Sequence, residues 1–284
     1  MAVPTAGDGA GDGAGGDAGS TAELRHAAGL DVVWPAIAEA GVDALVTTRD
    51  GGVSTGPYHS LNLGLHVGDD PASVRENRRR AAAALGAGVD ELVFAQQIHG
   101  TRAATVTAAD AGRGTHEAGN AIAATDTLVT RTPGPVLVTL AADCSPILLV
   151  DPGARVLATV HAGWRGAVGG AVAEAVHTME SLGARAATTL AWIGPTVAAD
   201  TYEVGSEVAD AARARLGADA AGVLTPAGDR WHFDVAGANL VQLLAAGVPG
   251  HQVHRCRFTT GDGRFFSDRA ARPCGRFGLL ARLR

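Results

Sequence analysis

Cysteine, aromatic residues and long apolar runs are all scarce in this chain of 284 residues. Its three cysteines, at positions 144, 256 and 274, are too few and too odd in number for a disulfide framework, so reduced thiols or metal ligands are favoured. No stretch approaches the roughly 20 apolar residues of a membrane-spanning helix, and the N-terminus lacks the basic-then-apolar order of a signal peptide. We therefore expect a cytoplasmic protein with no membrane partner.

An excess of positive charge is missing as well. The formal net charge is −6, which gives no electrostatic footprint for nucleic acid or for an anionic membrane surface. Hydrophobic residues make up 46% of the chain, which is enough apolar material for a sizeable core. These features favour an enzyme or binding protein for a small molecule, and a monomer is the default expectation.

The first residues are almost entirely Gly, Ala and Asp. Such a run cannot bury enough surface to offset its ordering entropy, so we predict a disordered tail over residues 1–25. From residue 26 to residue 284, apolar runs and turn signals alternate without a long linker, which predicts a single catalytic domain. The predicted strands are residues 44–48, 60–65, 91–97, 102–107, 127–130, 136–140, 147–150, 156–160, 189–193 and 277–283. Helices are predicted to begin at Pro71 and to span residues 167–182, 205–216 and 234–246, which indicates a mixed α/β domain with one or two large sheets.

The stretch from Asp143 to Gly166 places a thiol and an imidazole at two chain reversals. Cys144 precedes one aliphatic run and His161 ends the next, and an Asp-Pro-Gly turn signal lies between the two runs. They are therefore predicted to be a hairpin or neighbouring strands of one sheet. His99 also lies where a predicted strand gives way to a glycine-containing turn. Polar residues at strand ends next to a helix entry are common sites of chemistry in α/β proteins.

Together these residues form a His-Cys-His set. Two imidazoles and one thiolate fill three positions of a tetrahedral zinc site and leave the fourth for water or substrate, and zinc lowers the pKa of its bound water to near neutrality. Two other interpretations of Cys144 stay open: a thiolate nucleophile paired with an imidazole base, or a buried small apolar residue. A copper oxidase is disfavoured because the ten histidines include no His-x-His pair, and the deaminase signature is absent.

Several longer motifs resemble one known family. The segments TTRDGGVSTGPYHSLNLGLHVGDDPASVRENRRR, QQIHG, ADCSPILLVD, HAGWRG, IGPTVAADTYEVG and RFFSDRA are similar to successive motifs of the bacterial YfiH/YlmD family, also called the laccase-domain or multicopper polyphenol oxidoreductase family. The resemblance implies a layered α/β/β/α sandwich with mixed sheets. It also implies that His99, Cys144 and His161 are the metal ligands.

The resemblance further implies an enzyme acting on purine nucleosides. Members phosphorolyse adenosine, inosine, guanosine and methylthioadenosine to base and ribose 1-phosphate, with inorganic phosphate as co-substrate, and deaminate adenosine to inosine. A proton donor or acceptor is then needed, and Asp143 is the candidate by position. Phosphate needs cations, for which guanidinium groups are suited. The candidates for phosphate are Arg49, Arg78 and Arg165, and those for ribose or base are Asn62, Asn77 and Gln97.

Other functions stay open at this point. One is a hydrolase that edits wrongly aminoacylated muramyl precursors of peptidoglycan, an activity with which some family members are associated. Another is a metal-free hydrolase with Cys144 as nucleophile, and a third is a non-catalytic metal-binding protein. The C-terminal motif around Cys256 matches the family less closely than the others, since Arg257 follows the usual Arg-Cys pair and Cys274 interrupts the final charged stretch.

Overall fold

Fifteen strands and five α-helices form within residues 22–284, the part of the chain that the computed structural model describes. The strands are β1 (Ala22–Ala27), β2 (Leu30–Pro35), β3 (Val42–Thr47), β4 (Leu92–Phe94), β5 (Ala103–Thr105), β6 (Thr127–Thr130), β7 (Val136–Ala141), β8 (Ser145–Asp151), β9 (Val156–Ala162), β10 (Leu190–Ile193), β11 (Glu203–Val204), β12 (Leu224–Ala227), β13 (Arg230–Phe233), β14 (Val253–Arg255) and β15 (Phe277–Leu283). The helices are α1 (Pro71–Ala84), α2 (Trp164–Gly169), α3 (Ala171–Ser181), α4 (Ser206–Leu216) and α5 (Val235–Ala245).

Two six-stranded mixed sheets form the centre of the fold. The first has the strand order β1-β2-β3-β15-β7-β4 and the second β14-β10-β8-β9-β6-β5. Most neighbours are antiparallel, but β4 runs parallel to β7, β5 to β6, and β14 to β10. A smaller sheet of three strands, β11-β13-β12, lies apart from both. The prediction of a mixed α/β domain with large sheets is confirmed.

The alternation of side chains along the strands explains the layers. In β8, Leu148 and Val150 pack in the same buried cluster as Leu137 and Leu279 of the first sheet, so the two sheets face each other. Ile147 and Leu149 point the other way and share a cluster with α3 and α5. The outer face of the first sheet packs on α1. Four layers result, α/β/β/α, as the family resemblance implied.

The predicted boundaries hold for some elements and are wrong for others. Asp70 caps α1 as predicted, since its carboxylate accepts hydrogen bonds from the N–H groups of Ala72 and Ser73. The helix predicted over residues 167–182 is two helices, because Gly170 adopts a left-handed conformation with φ of 94° between α2 and α3. The strand predicted at residues 60–65 is a turn and loop segment.

The predicted domain boundary after residue 25 is also wrong. Residues 1–21 of the predicted tail lie outside the described residues, but β1 begins at Ala22 and pairs antiparallel with β2 along its length. The first sheet therefore includes four residues that were assigned to the tail. Within residues 22–284, no helix is both long and apolar enough to cross a membrane.

Candidate metal centre and active site

The hairpin of β8 and β9 brings Cys144 next to His161. Cys144 directly precedes β8, and His161 in β9 lies opposite Pro146, two residues further along β8. The chain enters β8 through Asp143, whose φ of 88° lies in the left-handed region. The predicted hairpin is therefore confirmed, and its register places the thiol and the buried imidazole at the same end of the second sheet.

His99 reaches the same place from the first sheet. It lies in the loop after β4, and its φ of 60° is again left-handed. Gln97 fixes the start of this loop: its Nε2 donates to the carbonyl of Leu140 at 2.8 Å, and its Oε1 accepts from the Leu140 N–H at 2.8 Å. Because Leu140 belongs to β7, the loop is held against the first sheet while His99 extends toward the second.

The three predicted ligands converge. One ligand atom from each of His99, Cys144 and His161 lies within 4.8 Å of the others, and the two imidazole rings meet edge to face with centroids 4.8 Å apart. Gly163 makes this approach possible. A Cβ at Gly163 would lie 2.7 Å from the Cys144 Sγ and 3.4 Å from the His99 Cδ2, so no larger residue fits without moving the cluster.

A buried carboxylate that the sequence did not suggest, Asp126, supports two of the three ligands. Its Oδ1 accepts from His161 Nδ1 at 2.8 Å and from the His99 N–H at 2.9 Å. Its Oδ2 accepts from the N–H groups of Gly100 at 2.8 Å and Ile98 at 3.2 Å. Burial alone would raise the pKa of Asp126, but the hydrogen bonds from His161 and from the backbone lower it. The carboxylate is therefore ionised at neutral pH.

Cys144 and His161 perturb each other's protonation. Burial would raise the pKa of the Cys144 thiol, but the charge of His161 and hydrogen bonds from both imidazoles lower it. Burial would lower the pKa of His161, but Cys144 and Asp126 raise it. Both shifts favour the charged pair, a thiolate facing an imidazolium. A thiolate is the form of cysteine that binds metals and acts as a nucleophile.

The cluster lines a cavity of about 630 Å³. Its polar and aromatic lining residues are His66, Arg78, Phe94, Gln96, Gln97, His99, Asp143, Cys144, His161, Trp164, Arg165, Tyr202, Asp268, Arg269, Arg272 and Arg276. A cavity of this size is typical of a small-molecule site. Five arginines and two aspartates among these residues give the wall an excess of positive charge.

Three predicted substrate residues, Arg49, Asn62 and Asn77, do not line this cavity. Arg49 donates to the carbonyl of His59 and lies over the ring of Phe266. Asn62 and Asn77 are fully buried. Their amides bond to nearby backbone groups and to Ser54 and Asp69, in the loops at residues 53–69. These three side chains build the loop structure around the site, so the prediction that they contact substrate is corrected.

The remaining predicted substrate residues, Arg78, Gln97 and Arg165, do line the cavity. Arg78 is buried, and its Nε and Nη1 donate to the carbonyls of Leu63, Gly114 and Thr115. Burial lowers its pKa to about 9, so it stays charged at neutral pH. Arg165 is exposed, with an ion pair of 3.3 Å to Glu207. Arg78 is held by backbone carbonyls, whereas Arg165 is exposed to solvent.

Asp143 lines the cavity, but both its carboxylate oxygens accept hydrogen bonds from residues 260–269, which we call the C-terminal wall. Oδ1 accepts from the hydroxyls of Thr260 at 2.5 Å and Ser267 at 2.7 Å, and Oδ2 accepts from the Arg269 N–H at 2.7 Å. This carboxylate ties residues 260–269 to the residue before Cys144. These contacts are typical of a positioning residue, and the general acid or base role that its sequence position suggested stays a prediction.

Sequence reasoning missed His66 and Tyr202 as well as Asp126, whereas the RFFSDRA motif had already pointed to Arg269 as a residue lining the cleft. His66 lies in the quoted motif LNLGLHVGDD, and burial together with nearby arginines lowers its pKa to about 4, so its imidazole is neutral at neutral pH. Arg269 lies over the ring of Tyr202, 4.9 Å from its centroid. The signal that could have identified Asp126 is its position: it directly precedes a predicted strand, just as His99 follows one.

Comparison with known proteins gives concordant matches. Residues 43–284 match the family model described as multi-copper polyphenol oxidoreductase laccase. The chain is 41% identical over 237 residues to a protein of Mycobacterium tuberculosis named purine nucleoside phosphorylase. The aligned region covers 83% of this chain and 90% of that relative.

Two solved structures have the same fold. YfiH of Bacillus licheniformis superposes with a TM-score of 0.86 at 32% identity, covering 89% of this chain and 96% of that one. YlmD of Geobacillus stearothermophilus superposes with a TM-score of 0.85 at 33% identity, covering 92% of this chain and 98% of the other. The layered arrangement described above is therefore shared with both.

Proposed function

Because this chain belongs to the multi-copper polyphenol oxidoreductase laccase family, as its YfiH/YlmD-like motifs predicted, we propose that it is a purine nucleoside phosphorylase containing one zinc ion per chain. The names of its relatives support phosphorolysis of purine nucleosides. The proposed substrates are adenosine, inosine, guanosine and methylthioadenosine, and the products are the free base and ribose 1-phosphate. The observation that carries the proposal is the convergence of His99, Cys144 and His161 on one wall of a substrate-sized cavity.

The donor set fits zinc. Two imidazoles and one thiolate are ligands that zinc prefers, and three protein ligands are typical of catalytic zinc sites, where the fourth position stays open. A bound ion would supply a Lewis acid and a water of lowered pKa. Cys144 contributes a thiolate without a further proton loss, since its pKa is already lowered. The absence of a His-x-His pair gives the copper chemistry in the family's description no support from this sequence.

Inorganic phosphate is the proposed co-substrate. In phosphorolysis a phosphate oxygen bonds to C1′ of the ribose while the bond from C1′ to N9 of the purine breaks. The arginine-rich lining favours such an anion, because guanidinium groups pair with phosphate oxygens. We assign phosphate to Arg269 and Arg165 in place of Arg49. Arg269 lies on the wall that Asp143 holds, and both arginines line the cavity and are exposed.

Deamination of adenosine to inosine is proposed as a second activity of the same site. Water adds at C6 of the purine, the bond from C6 to the amino nitrogen breaks and ammonia leaves, so one group must accept a proton from the water and a proton must reach the departing nitrogen. Asp143, the acceptor that its sequence position suggested, is committed to three donors of the C-terminal wall. The neutral imidazole of His66 lines the same cavity, but its pKa of about 4 makes it a weak proton acceptor. Gln97 remains a proposed contact for ribose or base, and Arg78 remains a proposed contact for phosphate.

One observation favours a second candidate, a metal-free thiol hydrolase. The lowered pKa of Cys144 and the raised pKa of His161 describe a thiolate paired with an imidazolium, which is also the resting state of a cysteine nucleophile. The two candidates differ in their need for an ion. Turnover by protein treated with a chelator separates them, since only the thiol mechanism survives removal of the metal.

The test is product analysis with and without phosphate. Purified protein is incubated with inosine and with adenosine, and the base, ribose 1-phosphate and inosine are separated by chromatography. We expect hypoxanthine and ribose 1-phosphate from inosine only when phosphate is present, and inosine from adenosine in both cases. The Cys144→Ala variant is the control and should form neither product. Release of free ribose without phosphate would overturn the phosphorylase assignment.

A further inference from the structure

Asp126 differs from the other carboxylates near the site in what it contacts. Its side chain is fully buried, and it accepts from the imidazole of His161 and from three successive backbone N–H groups, those of Ile98, His99 and Gly100. His99 lies in the loop after β4 of the first sheet, whereas His161 lies in β9 of the second sheet. One carboxylate therefore contacts the chain at both proposed imidazole ligands.

We propose that Asp126 is the positioning residue of the metal centre: it selects the tautomer of His161 and fixes the loop that presents His99. This inference rests on the proposed metal site and concerns a residue that neither the motifs nor the family match singled out. Asp126 touches no reacting atom. It acts through the two histidines, and its effect is expected in metal binding before any effect on turnover.

The tautomer argument follows from hydrogen-bonding capacity. An ionised carboxylate only accepts hydrogen bonds, so the nitrogen of His161 that faces it must carry a proton. That nitrogen is Nδ1, at 2.8 Å from Asp126. The lone pair of a neutral His161 is then on Nε2, on the side of the ring away from Asp126, where the contact with Cys144 is made. Ligand histidines are commonly oriented by a carboxylate in this way.

The loop argument follows from the backbone of His99. A histidine at φ of 60° is in a conformation that side-chain-bearing residues seldom adopt. It needs compensating contacts to persist. Successive N–H groups that point at one anion form a concave anion site, and here the anion is Asp126. Removing the negative charge would weaken this anion site, so the loop would hold His99 beside Cys144 less firmly.

The variant Asp126→Asn tests both parts with almost no change of shape. An asparagine has one accepting oxygen and one donating NH₂ group. If its oxygen faces His161, the NH₂ meets the N–H groups of Ile98 and Gly100. If it is flipped, His161 must accept at Nδ1 and carry its proton on Nε2, the nitrogen needed for the metal. Either orientation disturbs one of the two ligands.

Asp151 provides a matched control. It is also a buried aspartate of the second sheet, and it accepts from the N–H groups of Gly153, Ala154 and Arg185 and from the Thr188 hydroxyl. It contacts none of the three proposed ligands. Asp151→Asn therefore removes a buried, multiply hydrogen-bonded charge from the same sheet without altering the metal centre.

The experiment is a Co²⁺ titration of the metal-stripped full-length chain, followed by absorption spectroscopy in the thiolate charge-transfer and d–d regions, with circular dichroism to verify folding at the temperature used. We expect Co²⁺ affinity to fall by about 10–100-fold in Asp126→Asn, with an altered d–d spectrum, while Asp151→Asn keeps the wild-type affinity and spectrum.

Two contrary outcomes have different meanings. If folded Asp126→Asn binds Co²⁺ as tightly as the wild type and with the same spectrum, the positioning role is refuted and the proposed metal site stands. If the wild-type chain itself binds no Co²⁺ or Zn²⁺, the proposed metal site is refuted and the inference with it. Equal weakening in Asp126→Asn and Asp151→Asn would assign the effect to general destabilisation and also refute the positioning role.

Discussion

Gly163 shows how closely single residues constrain the centre. It precedes α2 with an ordinary backbone conformation, φ of −75°, so its lack of a side chain is needed for space and not for flexibility. The space is occupied by the Cys144 Sγ and the His99 ring. In the sequence this glycine is one of 39, and nothing local distinguished it from the others.

Replacing Gly163 by alanine should damage the metal centre. The added Cβ would lie 2.7 Å from the Cys144 Sγ, so the sulfur must move by tenths of an ångström. Zinc–sulfur bonds of about 2.3 Å tolerate little displacement, and we expect metal affinity to fall by about tenfold or more. Overpacking should cost about 1–3 kcal/mol in the free energy of unfolding. Chelator competition and urea unfolding measure the two effects.

Gly205→Ala is the control. Gly205 also precedes a helix, with φ of −86° and ψ of −177° against −75° and −174° at Gly163, but a Cβ there meets nothing within 4 Å. It should leave metal affinity unchanged. Wild-type affinity in Gly163→Ala would mean that the three side chains do not converge as described.

The protonation of Cys144 and His161 makes metal binding depend on pH. The pKa of Cys144 is lowered, so the thiolate is present at neutral pH, whereas the pKa of His161 is raised, so its proton must leave when a metal binds. Each displaced proton changes the apparent affinity about tenfold per pH unit. Metal affinity should therefore rise from pH 6 to pH 8, as measured by metal titrations at a series of pH values. A flat profile would contradict the assigned pair.

At the scale of elements, the sequence predicted the hairpin of β8 and β9 but not the strand pairing that brings His99 next to it. Aliphatic runs around an Asp-Pro-Gly turn predicted β8 and β9, and with them the nearness of Cys144 and His161. The position of His99 beside Cys144 depends on the pairing of β4 with β7 in the first sheet. Sequence periodicity carries no information on such distant pairing. Asn62 and Asn77 were misassigned because polar residues in a motif are equally suited to buried loop networks.

The C-terminal wall, residues 260–269, should loosen when Asp143 is changed. In Asp143→Ala three hydrogen bonds to this segment are lost, so backbone amides there should exchange faster and KM for phosphate should rise, with metal still bound. Asp143→Asn keeps one accepting oxygen and should have a smaller effect. Hydrogen exchange followed by mass spectrometry measures the wall directly. Equal, large losses of kcat in both variants with unchanged exchange would instead support an acid/base role.

At the scale of the whole molecule, the site is built from both sheets. His99 comes from the loop after β4, whereas Cys144 and His161 belong to the hairpin of the second sheet. The four layers could be expected from the family resemblance, but β1, β2, β14 and the small sheet were not predicted. Strand β1 is largely exposed and polar, and β11 has two residues, so neither has the alternating apolar pattern that predicts a strand.

A ligand held by both sheets should stabilise the whole fold. An ion at 100 times its Kd contributes about 2.7 kcal/mol to the free energy of unfolding, and in a chain of this size each kcal/mol raises Tm by about 2–4 °C. Zinc should therefore raise Tm by about 5–10 °C relative to protein in chelator, as measured by thermal unfolding. Cys144→Ala should lose this difference, and an equal rise in that variant would place the ion elsewhere.

The central claim is that His99, Cys144 and His161 together bind an ion that nucleoside cleavage requires. The most direct test is phosphate-dependent turnover of inosine by chelator-stripped protein during stepwise addition of Zn²⁺. We expect no turnover at the start and a rise that ends at one equivalent per chain. Full turnover by the stripped protein would contradict the account.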